Sequence, residues 1–127
     1  MPYTKDISIS EVMKQSRDVM FIADDRQFID ANDAALKMFG VSSKEAFLKM
    51  HPAAFSPEFQ HDGTSSFLKA NKMIDIALKE GFHRFEWLHK NLKEEPFDVE
   101  VTLIIFEDGD KSLSFVQIRE LSSFIRL

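Results

Sequence analysis

The residues best equipped for chemistry in this chain are Trp87 and His89, two apart in the stretch FHRFEWLHK at residues 82–90. Alternating types there predict a half-buried strand, with His83, Phe85, Trp87 and His89 on one face. Arg84, Glu86, Leu88 and Lys90 then take the other face. An indole N–H and an imidazole rising side by side from an apolar wall suit the polar handles of a small-molecule site. The same two side chains also serve as plain core, provided their polar atoms find partners among their neighbours. At the level of sequence both readings stand.

Other chemistries are poorly supplied. His83 and His89 are six residues apart, about 20 Å along a strand at roughly 3.3 Å per residue, too far to share one metal ion. His51 and His61 lie in an irregular stretch without metal-ligand spacing, so no metal site is expected. There is no GxSxG elbow and no glycine-rich phosphate loop. The absence of cysteine removes disulfides, thiol catalysis and thiolate-held metals. An acid–base isomerase built on a cone-shaped α+β fold would need a carboxylate beside His89. Glu86 and Glu100 fall on the opposite face, so the chain is not read as an enzyme.

Several elements must position the Trp87–His89 pair. Residues 97–106 (FDVEVTLIIF) form a second strand with Phe97, Val99, Val101, Leu103 and Ile105 on one face and Asp98, Glu100 and Thr102 on the other. Pairing it antiparallel to the first, apolar face with apolar face, leaves Arg84 and Glu86 wet near Asp98 and Glu100. Each charge pair there adds only about 0.2–1 kcal/mol. A last strand, 111–119, follows the hairpin turn Asp108-Gly109-Asp110. Upstream, strands at 19–23 and 27–30 flank a turn at 24–26.

Between these strand groups lie helices. Asn32 stands where an N-cap belongs before residues 33–39, and Gly40 closes that helix. A short helix follows at 42–50, with Ser42 and Glu45 spaced as a capping box. Two prolines and a glycine make 51–64 irregular, with Phe55 and Phe59 expected to pin it to the core. The longest helix, 65–80, ends at Gly81 and carries Phe67, Ala70, Ile74, Ala77 and Leu78 on one face. At the N-terminus, residues 6–17 form an amphipathic helix with Ile9, Val12 and Met13 as its stripe, capped by Ser8 or Asp6. That stripe covers either its own sheet or a second copy. The order predicts an α+β fold, an antiparallel five-stranded sheet with helices on one face.

Composition sets the outer bounds. The 127 residues suit one domain, and thirteen phenylalanines supply its core. A net charge of −5 with scattered basic residues argues against a nucleic-acid surface. No apolar run nears the roughly 18 residues that span a bilayer, and residues 1–6 lack the core of a signal peptide. The expected setting is cytoplasmic, alone or as a piece of a membrane-anchored sensor.

Four local matches in the right order then carry a resemblance. They are FIDANDAALKMFG at 28–40, SPEFQHDG at 56–63, GFHRFEWLH at 81–89 and FDVEVTL at 97–103. Together they resemble the PAS domain family, bacterial sensory-box subtype, whose corresponding patterns are SPxFQPDG, GxxxFEWxH and FPVEVTL. The likeness runs over residues 17–122. His61 departs from the subgroup's proline, Lys93-Glu94 from its Asp-Gly turn, and Arg119-Glu120-Leu121-Ser122 from the Asp-Ile-Thr ending.

The resemblance implies a PAS fold over 18–122, a flanking helix over 1–17 and a tail over 123–127 leading towards an output region. It implies a sensory or regulatory module that binds a small molecule in an internal pocket and signals through its terminal helices. Partners would be a second copy and an output domain: a histidine kinase, a cyclic-dinucleotide (GGDEF) enzyme, a chemoreceptor or a transcription regulator. The expected pocket residues are Trp87, His89 and Phe85 on the strand, Phe67 and Ile74 as roof, Phe59 and Gln60 at the mouth, and Asn32. Haem-binding members take an axial histidine from the long helix or its approach; helix 65–80 has none, so haem is not expected. The missing thiol excludes cysteinyl-flavin photochemistry, while a non-covalent flavin stays open. The competing reading is a protein-interaction module whose pocket is filled by its own side chains.

Overall fold

A computed structural model describes residues 8–24 and 26–121. Its five strands are β1 (Val19–Ala23), β2 (Phe28–Ala31), β3 (Phe82–Lys90), β4 (Pro96–Asp108) and β5 (Lys111–Glu120). They form one antiparallel sheet in the order β2–β1–β5–β4–β3. Trp87 stands opposite Val99, Phe85 opposite Val101 and His89 opposite Phe97. Trp87, Val99, Val101 and Leu103 are all buried and Arg84 and Glu86 are exposed, the register expected from the alternation. A slip of one residue would have exchanged the two sets.

The wet face pairs its cross-strand charges only in part. Glu86 and Glu100 stand directly opposite each other, a repulsive placement. Arg119 on β5 answers it by donating from Nη2 to Glu100 Oε1 at 3.2 Å. Arg84 donates from Nε to Thr102 Oγ1 at 3.1 Å and also lies 4.0 Å from Glu100 Oε1, the expected cross-strand charge pair.

The inner face is covered by α2 (Asp33–Phe39), α3 (Lys44–Leu48), a 3₁₀ turn (Pro52–Phe55) and α4 (Ser66–Glu80). Their contact with the sheet is a phenylalanine cluster. Phe28 stacks on Phe47 at 4.1 Å between ring centroids, Phe39 meets Phe55 at 4.4 Å, and Phe21 meets Phe28 edge-on at 5.1 Å. Such pairs add about 0.5–1.5 kcal/mol each beyond their area burial. The first helix, α1 (Ile9–Gln15), lies on the other face. Its Met13 is buried with Ile22 and Leu113, whereas Phe21 and Ala23, the sequence neighbours of Ile22, belong to the inner core. The flanking helix thus covers its own sheet through Met13, while Ile9 and Val12 stay exposed.

Caps decide where the helices begin. Ser8 caps α1, accepting from Glu11 N–H. Ser43, one residue later than the spacing suggested, caps α3 by accepting from Ala46 N–H. Ala46 has no carboxylate to reciprocate, so the capping box expected from Ser42 and Glu45 does not form. Residues 52–55 are regular after all: Pro52 sits in the first turn, where its missing N–H costs nothing, and His51 caps it. Phe55 is buried as expected, but Phe59 is 53% exposed, so one phenylalanine rather than two pins this loop. On α4 the inward stripe is Ala70, Met73, Ile74 and Ala77, with Phe67 and Leu78 exposed. Gly81 ends α4 in the left-handed conformation (φ 83°), its N–H bonded to Ala77 O. Where the subgroup has Asp-Gly, Glu94 takes φ 64° itself, in a turn braced by Asn91 Oδ1, which accepts from Lys93 and Glu95 N–H. Asp6, Asp25 and the tail at 123–127 lie outside the described residues.

Candidate functional site

Between α4 and the inner face of the sheet lies a cavity of ≈ 480 Å³. That volume falls in the range of small-molecule pockets, about 300–1,000 Å³. Its floor is Phe21, Phe85, Trp87, Val101, Leu103 and Val116; Ala70 and Ile74 of α4 form the roof. The register explains the floor, because these positions are cross-strand neighbours on β1, β3, β4 and β5.

Both anticipated polar handles line this cavity, and both already have partners. Trp87 donates from Nε1 to Ser56 Oγ at 2.9 Å. His89 Nδ1 lies 2.8 Å from Phe55 O. A carbonyl only accepts, so Nδ1 carries the proton and Nε2 keeps its lone pair. The partners are consecutive residues at the end of the 3₁₀ turn, so the pair anchors that turn against the sheet. Burial pushes the His89 imidazole down to about 4, which keeps it neutral at pH 7.

Other predicted residues divide. Phe85, Phe67 and Ile74 line the cavity; Phe67, 72% exposed, stands at its rim. Phe59, Gln60 and Asn32 do not line it. Gln60 is buried and clamps the free edge of β3: Oε1 accepts from Leu88 N–H at 2.8 Å, and Nε2 donates to Leu88 O at 3.1 Å. The same Nε2 donates to Ser66 Oγ at 2.8 Å, tying the start of α4 to that edge. Asn32 is fully engaged as a junction. Its Oδ1 accepts from Ala35 and Met20 N–H, and its Nδ2 donates to Met13 O and Asp18 O. The mouth expected from Phe59 and Gln60 is instead bordered by His51, Pro52, Ala53, Pro57 and Glu58.

Ser56 and Ser114 also line the cavity, and no sequence motif marks either as a site residue. Ser114 was legible only as an inward position of β5, and Ser56 only as the first residue of a Ser-Pro loop. Among the described residues no lysine or arginine lines the cavity, and no three metal-binding side chains gather anywhere. A flavin nucleotide's phosphate would therefore find no cation in this wall. The acidic groups on it are Asp24 and Glu58. Backbone N–H groups of Arg26, first, and Gln27 hold Asp24 below the usual carboxylate range, with burial opposing them. No helix among the described residues is long and apolar enough to cross a membrane, which leaves β-barrels unaddressed.

The sequence model of the PAS domain matches residues 17–123. This chain belongs to the PAS domain family. Solved PAS structures share the fold at low identity. A PAS domain from a two-component sensor histidine kinase is 21% identical, covering 88% of this chain and 92% of its own, with a TM-score of 0.71. The PAS domain, in complex with ethanol, of a LuxR-family transcriptional regulator from Burkholderia thailandensis is 16% identical. It covers 92% of this chain and 100% of its own, with a TM-score of 0.72. The Rhodobacter sphaeroides LOV protein is 20% identical over 91% of this chain and 66% of its own, with a TM-score of 0.72. No curated protein sequence matches. In this PAS domain the five-stranded antiparallel sheet and its covering helices are those the motifs implied.

Proposed function

We propose that this PAS domain is a sensory or regulatory module that holds a small, mostly apolar molecule between α4 and the sheet. The observation that carries this reading is the cavity: ≈ 480 Å³ of space over Trp87, not filled by the domain's own side chains. A pure interaction module would pack that space, since protein interiors leave few voids larger than a water molecule. The Burkholderia thailandensis PAS domain in complex with ethanol supports the reading. Asn32 supports a route outwards, because one side chain joins α1 to the start of α2. The output partner would be a kinase, a cyclic-dinucleotide enzyme, a chemoreceptor or a transcription regulator. A second copy of the chain would dock through α1, where Ile9 and Val12 are exposed.

Native mass spectrometry of the protein purified from its own host tests the reading. The expected spectrum shows a small-molecule adduct that is lost on denaturation. Ligand-free protein whose melting temperature no compound in a broad panel raises would contradict it.

A further inference from the structure

The polar groups left over in the cavity wall specify what kind of molecule fits. His89 Nε2 has no partner among the described residues, yet no buried side-chain nitrogen or oxygen there lacks one. Nε2 therefore reaches accessible space, and His89 lines the cavity. It presents an acceptor, because Nδ1 holds the proton against Phe55 O. Ser56 Oγ accepts from Trp87, and its own O–H has no acceptor among the described residues. The cavity wall thus carries one acceptor and one donor, on side chains tied together through the consecutive residues Phe55 and Ser56.

The rest of the wall adds the Asn71 amide and the Ser114 hydroxyl, neither hydrogen-bonded among the described residues, and excludes charge of one sign. Among the described residues the titratable groups lining it are Asp24, Glu58, His51 and His89, and none is a lysine or arginine. His51 is committed as a cap, its Nδ1 accepting from Ala53 N–H at 3.0 Å. A carboxylate or phosphate would enter without a counter-charge, past two carboxylates, and an unpaired buried anion is strongly disfavoured. A neutral group faces no such barrier.

Resting on the sensory reading above, we propose that the ligand is an uncharged, mainly apolar molecule with one hydroxyl group. That hydroxyl donates to His89 Nε2 and accepts from Ser56 O–H. Alcohols and phenols have this chemistry; fatty and aromatic acids in their anionic form do not.

Three probes of similar size, phenol, anisole and benzoate, separate the possibilities by calorimetric titration at pH 7. Phenol is expected to bind roughly 3- to 10-fold more tightly than anisole, the range of one neutral hydrogen bond. Benzoate is expected to bind about 100-fold more weakly than phenol or not measurably. His89→Phe should bring phenol and anisole level. Because that variant can also disturb folding, the ¹⁵N resonance of His89 Nε2 in the wild type is a second readout. It should shift with phenol and not with anisole. Equal binding of phenol and anisole, or tightest binding by benzoate, would overturn the hydroxyl assignment while leaving a ligand-binding cavity. Binding of none at millimolar concentration would overturn the cavity reading itself, and this assignment with it.

Discussion

His89 shows how one residue couples burial to pH. Its imidazole titrates near 6.5 when unfolded and at about 4 in the folded domain, with burial as the main cause. Between those values the unfolded chain binds more protons, so stability rises with pH across this window and falls as pH drops from 6.5 towards 4. The full shift is worth up to about 3 kcal/mol at 1.36 kcal/mol per unit. Urea unfolding between pH 4 and 7 should show that slope, and His89→Gln should flatten it; unchanged slopes would show that other groups dominate the window. Gln60 makes a different kind of contribution, closing a strand edge with a side-chain amide. Gln60→Ala should cost about 2 kcal/mol, since it strips the partners from Leu88 and Ser66 in a largely buried place. Amide exchange at Leu88 should accelerate, and unchanged exchange there would rule out the clamp.

At the scale of elements, α1 is the piece with two faces. Met13 is buried on the outer face of the sheet, while Ile9 and Val12 are 44% and 61% exposed. If α1 also joins two copies, Val12→Glu should convert a dimer to a monomer in light scattering with little change in the far-UV spectrum. A wild type already monomeric at high concentration would end that idea. The strands were the most legible elements in the sequence because one flip of register would expose Trp87, Val99, Val101 and Leu103 together. Helix faces were less so. Phe67 and Leu78 fit the apolar stripe of α4, but the side that turns inwards is Ala70, Met73, Ile74 and Ala77. Ser43 took the cap from Ser42 because two adjacent serines offer the same chemistry and only backbone geometry chooses between them. The loop before α4 was least legible. Gln60 pairs with Leu88, 28 residues away, and Trp87 with Ser56, 31 away, and such pairings leave no local pattern.

For the whole molecule, the sequence showed which side chains face inwards but not that α4 stands off from the sheet. Alternation and helical spacing report direction, whereas a cavity depends on the distance between two surfaces. The core is correspondingly uneven. Phe39, Phe47 and Phe55 are almost fully buried on one side, and ≈ 480 Å³ stays open above Trp87 on the other. On the sensory reading proposed above, this space belongs to a guest. Urea unfolding of Ala70→Leu against Ala77→Leu tests it within a single helix, since Ala70 roofs the cavity and Ala77 is fully buried in packed core. Overpacking a filled site costs about 1–3 kcal/mol. That loss is expected for Ala77→Leu, whereas Ala70→Leu should keep stability within about 0.5 kcal/mol of the wild type or above it. A loss of about 2 kcal/mol or more for Ala70→Leu, matching Ala77→Leu, would mean that the space is closed by the domain's own packing.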